Sequence, residues 1–124
     1  IKGHSRELVL YYADNDIKLD RALNLAKRDS ADTEDIYAFD TLAWAYYKTG
    51  NIDKARDAIN KSLRLGTKDA ILYYHAGMIY YKLNKSDEAE KYFRLVLETN
   101  PFFDKEAVKN VRHALGELDK GGSG

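Results

Sequence analysis

The 124-residue sequence has no cysteine, which excludes disulfide staples, thiolate nucleophiles and cysteine-ligated zinc or iron–sulfur centres. The redox compartment stays open. Proline occurs once, at Pro101, and strand signals are nearly absent, so almost nothing interrupts helical backbone. A charge excess is missing too: 20 basic and 20 acidic residues cancel. That removes the usual electrostatic argument for a nucleic-acid or anionic-membrane partner, although a local basic patch stays compatible with it. No run approaches the roughly 18 to 20 consecutive apolar residues that cross a bilayer, and no signal-peptide pattern opens the chain. It reads as soluble, with cytoplasm and periplasm not distinguished. The size suits one ordinary domain with its own core, expected over residues 1–120. The start at Ile1 and the close Gly121-Gly122-Ser123-Gly124 suggest an excised or engineered piece, with 121–124 as a flexible tail.

What the chain does have is apolar residues at three- and four-residue spacing from Leu8 to Leu118, the period of helices with a buried side. The first helix is expected near 4–14 with Leu8, Tyr11 and Tyr12 inward, and the second near 18–29 around Leu19, Ala22, Leu23 and Ala26. The third, about 35–49, carries Phe39, Leu42, Ala43 and Tyr46 at i, i+3, i+4, i+7, one buried stripe. Gly50 is placed to close it in a left-handed conformation, and Asn51 to Asp53 start the fourth helix, which ends near Gly66. From Asp69 to about Leu83 a fifth helix repeats the logic, with Asn84 in the role of Gly50. Ser86-Asp87-Glu88 start the sixth, and Asn100-Pro101 stops it. A seventh, about 104–119, sets Ala107, Val108, Val111, Ala114, Leu115 and Leu118 against a charged outer face.

Two stretches say the same thing 34 residues apart. Phe39-x2-Leu42-Ala43-x2-Tyr46, Ala55-x3-Ile59 and Thr67 are echoed by Tyr73-x2-Ala76-Gly77-x2-Tyr80, Ala89-x3-Phe93 and Pro101. This pattern resembles the tetratricopeptide-repeat family, whose signature is W-x2-L-G-x2-Y, A-x3-F, P at a 34-residue period. Phe39 and Tyr73 stand for Trp, Ala43 for Gly, Ile59 for an aromatic and Thr67 for Pro. Repeats 36–69 and 70–103 match over their length, 4–35 forms a divergent repeat, and 104–119 a capping helix. The resemblance implies an all-α fold of about seven helices, an α-solenoid of antiparallel helix pairs wound into a right-handed superhelix with a concave surface.

In such an array the first helix of each pair lines the concave wall, and the residues off its stripe look into the groove. At roughly 100° per residue these are Tyr37, Asp40, Trp44, Tyr47 and Lys48, then Ile71, Tyr74, His75, Met78, Tyr81 and Lys82. Weaker alignment adds Arg6, Leu10, Ala13 and Tyr12. The aromatic surplus suits a peptide or a helix laid along the groove, because Tyr and Trp give large contact area for few rotatable bonds. Tyr46 and Tyr80 belong to the packed stripe, whereas Trp44, Tyr47 and Tyr81 are expected in the groove. Lys48 and Lys82 have two readings, a partner contact or a favourable charge at a helix C-terminus.

The family's carboxylate clamp for chaperone tails is not expected, because the matching places hold Arg6, Leu10, Thr41, Ile71 and His75 without an asparagine. His4, His75 and His113 lie in different helices without a metal-site pairing, and Asp14-x-Asp16 lacks the glycine and glutamate of a calcium loop. No glycine-rich phosphate loop or nucleophile-base signature occurs, so no enzyme, metal or cofactor is expected. The expected function is a non-catalytic scaffold for a protein or peptide partner, with no nucleic acid and no membrane. The alternative is a structural repeat module that self-associates through its exposed edges, or an engineered building block.

Overall fold

Seven helices, and no strand, make up residues 5–122, the part of the chain that the computed structural model describes. They are α1 (Arg6–Asp14), α2 (Leu19–Ser30), α3 (Ile36–Lys48), α4 (Ile52–Leu63), α5 (Ala70–Lys82), α6 (Ser86–Thr99) and α7 (Lys105–Gly122). Ile1, His4, Ser123 and Gly124, which entered the reading of both ends, lie outside the described residues.

The boundaries have local causes. Asp35 and Asp69 cap α3 and α5 by accepting from the backbone N–H groups of Tyr37 (2.9 Å) and Ile71 (3.1 Å), donors that a helix start leaves unpaired. At the far ends of those helices Gly50 (φ 85°) and Asn84 (φ 60°) take the left-handed conformation that ends a helix, as their residue types predict. Asn100 adopts extended backbone ahead of Pro101, so α6 stops there. The seventh helix runs further than expected, through Gly121 to Gly122, where composition alone suggests a flexible tail. Adding a residue to an existing helix fixes few dihedrals per hydrogen bond gained, so a preceding helix can carry poor formers along.

Contacts divide the chain into two units, Ile1–Thr67 and Lys68–Gly124, just ahead of the repeat start expected at residue 70. In the first, α1 packs on α2 and α3, α2 on α3, and α3 on α4. Its core holds Val9, Ala22, Ala26 and Ala45, with Tyr12, Leu23, Leu25 and Leu42 packed against them. Small residues at the helix crossings let the backbones approach closely. Leu8 and Tyr11 are not inward as expected: they are 42% and 58% exposed. Val9 and Ala13 take the inner face of α1, which packs on α2 and α3.

In the second unit α5 pairs with α6, and α6 with α7. Leu72, Ile79, Phe93, Val96 and Val111 are fully buried there. The α7 stripe packs as its spacing predicts: Ala107, Val108, Val111, Ala114 and Leu115 are buried and Leu118 is half-buried.

Candidate functional site

The wall expected on α3 is largely a joint. Arg6 of α1 reaches across, and its Nη1 donates to the Tyr37 carbonyl (2.9 Å), Asp40 Oδ2 (3.0 Å) and Thr41 Oγ1 (2.7 Å), while the guanidinium lies 5.0 Å from the centre of the Tyr37 ring. Asp40 is fully buried, and the Arg6 guanidinium gives its carboxyl group an ion-pair partner there. Farther along, the Trp44 indole N–H donates to Asp14 Oδ1 at 2.8 Å, and Lys48 pairs with Asp16 at 2.9 Å. The Trp44 ring stacks on Tyr47 with centroids 4.7 Å apart and planes 6° from parallel. Trp44 is only 3% exposed.

These facts correct the expectation for Asp40 and Trp44: both face α1 rather than solvent. Tyr37, Tyr47 and Lys48 stay half-buried, with part of each surface open. Periodicity misled because it assumes one buried stripe. Helix α3 touches α1, α2 and α4 and is apolar nearly all round, the mark of a helix packed on several sides.

On α5 the outcome is similarly mixed. Tyr74 and His75, expected in the groove, are buried. The Tyr74 hydroxyl accepts from Asn110 Nδ2 of α7 at 3.1 Å and its ring meets Phe103 at 6.0 Å, while the His75 ring lies 5.8 Å from that of Tyr74. The segment after Pro101 therefore covers this part of α5. Ile71 and Met78 are half-buried, whereas Tyr81 and Lys82 are exposed. The Tyr81 ring is held edge-on to Phe93, centroids 6.0 Å apart and planes at 73°, yet keeps 36% of its surface open. Tyr81, Met78 and Lys82 thus form an accessible strip on a packed helix.

The stripe expected to be core behaves in the opposite way. Of Phe39, Leu42, Ala43 and Tyr46 only Ala43 is buried, and Tyr46 and Tyr80 are half-buried. Cations lie over the open rings: Lys27 and Lys54 over Tyr46, and Lys61 and Arg64 over Phe39. Sequence reasoning missed these cations because they belong to other helices, Lys27 to α2, Lys54 to the start of α4, and Lys61 and Arg64 to its end. A usable signal for the α1 joint did exist: Arg6 and Asp40 occupy the same position of successive repeats with opposite charge.

Among the described residues no three His, Asp or Glu side chains converge to hold a metal ion, and no helix is long and apolar enough to cross a membrane. The arrangement offers rigid aromatic, aliphatic and cationic surface, of the kind that protein interfaces use.

Residues 15–95, well over half of the chain, match the family described as anaphase-promoting complex, cyclosome, subunit 3. No curated protein matches it. The match spans α2 to α5 and most of α6, the same stretch in which the 34-residue echo and the paired helices occur. The chain therefore belongs to this tetratricopeptide-type repeat family, a family of protein-interaction scaffolds.

Proposed function

We propose that the chain is a non-catalytic adaptor that holds a peptide or short helical segment of a partner against the first helix of a repeat. The strip on α5 carries the reading. Tyr81 is fixed by Phe93 but open on its other side, with Met78 and Lys82 beside it. An aromatic ring already ordered before binding loses little entropy on contact, and such anchors dominate binding energy. On α3 the open parts of Tyr37, Tyr47 and Lys48 offer similar material. Trp44 supports the wall from beneath.

Titration of a labelled peptide library selects a binding segment. With that segment, Met78→Ala plus Tyr81→Ala weakens binding at least about tenfold while the circular dichroism spectrum is kept. Unchanged affinity in the folded double variant removes the α5 strip from the account. Trp44→Ala serves as the contrast: deletion of a packed indole costs about 3–5 kcal/mol of stability, so it acts on folding first.

One observation favours a second reading, self-association. Leu8 and Tyr11 place an open apolar surface on α1, the kind that another copy can cover.

A further inference from the structure

Phe39, Tyr46 and Ala58 of the first repeat stand 34 positions ahead of Tyr73, Tyr80 and Tyr92 of the second. In the second repeat the Tyr92 ring lies against both others, 5.8 Å from Tyr80 with planes 12° apart and 6.2 Å from Tyr73 at 26°. The first repeat has no such ring, because Ala58 stands in its place. There Phe39, Leu42, Tyr46 and Ala58 line an open cleft of about 200 Å³. The fold itself thus shows what fits between these walls: one aromatic side chain.

The rim has a sign. Lys27 and Lys54 bring their ammonium groups within 5.8 and 5.9 Å of the Tyr46 ring centre, and Lys61 lies 5.4 Å from that of Phe39. None of the three lysines makes an ion pair among the described residues. The second repeat differs here: Glu88 and Leu95 occupy the positions of Lys54 and Lys61, and its one cation over these rings among the described residues is Lys91, 5.2 Å from the centre of Tyr92. In a chain of zero net charge this is a local basic patch around an aromatic cleft.

We propose that the cleft docks an acidic segment of another protein that carries one aromatic side chain. The ring enters between Phe39 and Tyr46, where Tyr92 sits in the second repeat, and flanking Asp or Glu side chains pair with Lys27, Lys54 and Lys61. The three lysines are exposed and stand beside the cleft, so carboxylates flanking a bound ring meet cations that are already in place and open to solvent. A nucleic-acid strand also offers rings and negative charge. Phosphate-backbone binding draws on many cations and a long-range field, whereas the neutral chain supplies only a local cluster of lysines beside one ring-sized cleft. The site lies on α2, α3 and α4 of one unit and stands independently of the α5 strip.

The probe is a short fluorescent peptide of aspartate and glutamate with one central phenylalanine, followed by anisotropy. Saturable, salt-sensitive binding is expected, weakened at least about tenfold when alanine replaces the phenylalanine and again by Lys54→Glu plus Lys61→Glu. Ala58→Tyr supplies the plug of the second repeat and abolishes binding. Circular dichroism confirms folding of each variant, and should Ala58→Tyr misfold, the exposed lysine pair carries the test alone. Absence of saturable binding, or affinity unmoved by the folded lysine variant, overturns the proposal. So does an oligothymidylate that binds with the same lysine dependence while the peptide does not.

Discussion

Gly77 shows how one side chain sets the size allowed to another. A Cβ added there would stand 2.5 Å from both Cδ1 and Cε1 of Phe93, a ring with no exposed surface and no room to retreat. The first repeat solves the same crossing with Ala43 and Ile59, one residue larger and the other smaller. Gly77→Ala gains about 1 kcal/mol of helix propensity and loses about 1–3 kcal/mol to overpacking, so a net loss is expected. Phe93→Ile alone leaves a cavity and also destabilises. Together they recreate the pair of the first repeat, and the double variant should be more stable than the sum of the single losses by about 1 kcal/mol. Urea denaturation of all four proteins measures the coupling, and simple additivity would mean that this contact does not set the volumes. This complementarity was legible as letters in the sequence. That it is a direct contact needed the structure.

At the scale of elements, α5 and α6 are joined by the rings of Tyr73, Tyr80 and Tyr92. Burial first, then the neighbouring Tyr80, Tyr73 and Glu88, holds the Tyr92 phenol above its ordinary value. The folded state therefore keeps this proton at pH values where the unfolded chain, near the usual value of about 10, has begun to lose it. With more protons bound by the folded state, stability falls as pH rises: the contribution is complete below about pH 10 and disappears as the pH passes through the raised folded value. Denaturation at about pH 8 and about pH 10.5 should show a smaller alkaline loss for Tyr92→Phe than for the unaltered chain. Equal losses would assign the alkaline sensitivity to other groups. Helix boundaries were readable at this scale because Gly50, Asn84 and Asn100-Pro101 act locally on backbone dihedrals. The open faces of α3 and α5 were not readable. Which side of a helix meets water depends on Asp14, Arg6 and Asn110, partners 30 or more positions away.

At the scale of the molecule, the 34-residue echo was sufficient for the repeat family, whereas its binding surface was not, because a repeat signature records shared packing and binding uses what differs between copies. Helices α1 and α7 illustrate the difference. On α7 the exposed residues include Lys105, Glu106, Lys109, Arg112 and Glu117, so its outer face is well solvated. On α1 they include Leu8 and Tyr11, one turn apart, at 42% and 58% exposure. Water meets a charged face at one helix and an apolar one at the other, and only the latter gains by being covered. Two partly open side chains yield a few kcal/mol against the cost of association, so self-association through α1 is expected to be no tighter than about 1 mM. Sedimentation equilibrium over a concentration series should then show a rising average mass, removed by Leu8→Lys plus Tyr11→Glu and unaffected by charge exchanges at Lys109 and Arg112 of α7. A mass that stays monomeric throughout would leave the α1 surface without a role in assembly, and a rise that survives the α1 substitutions would place the contact elsewhere.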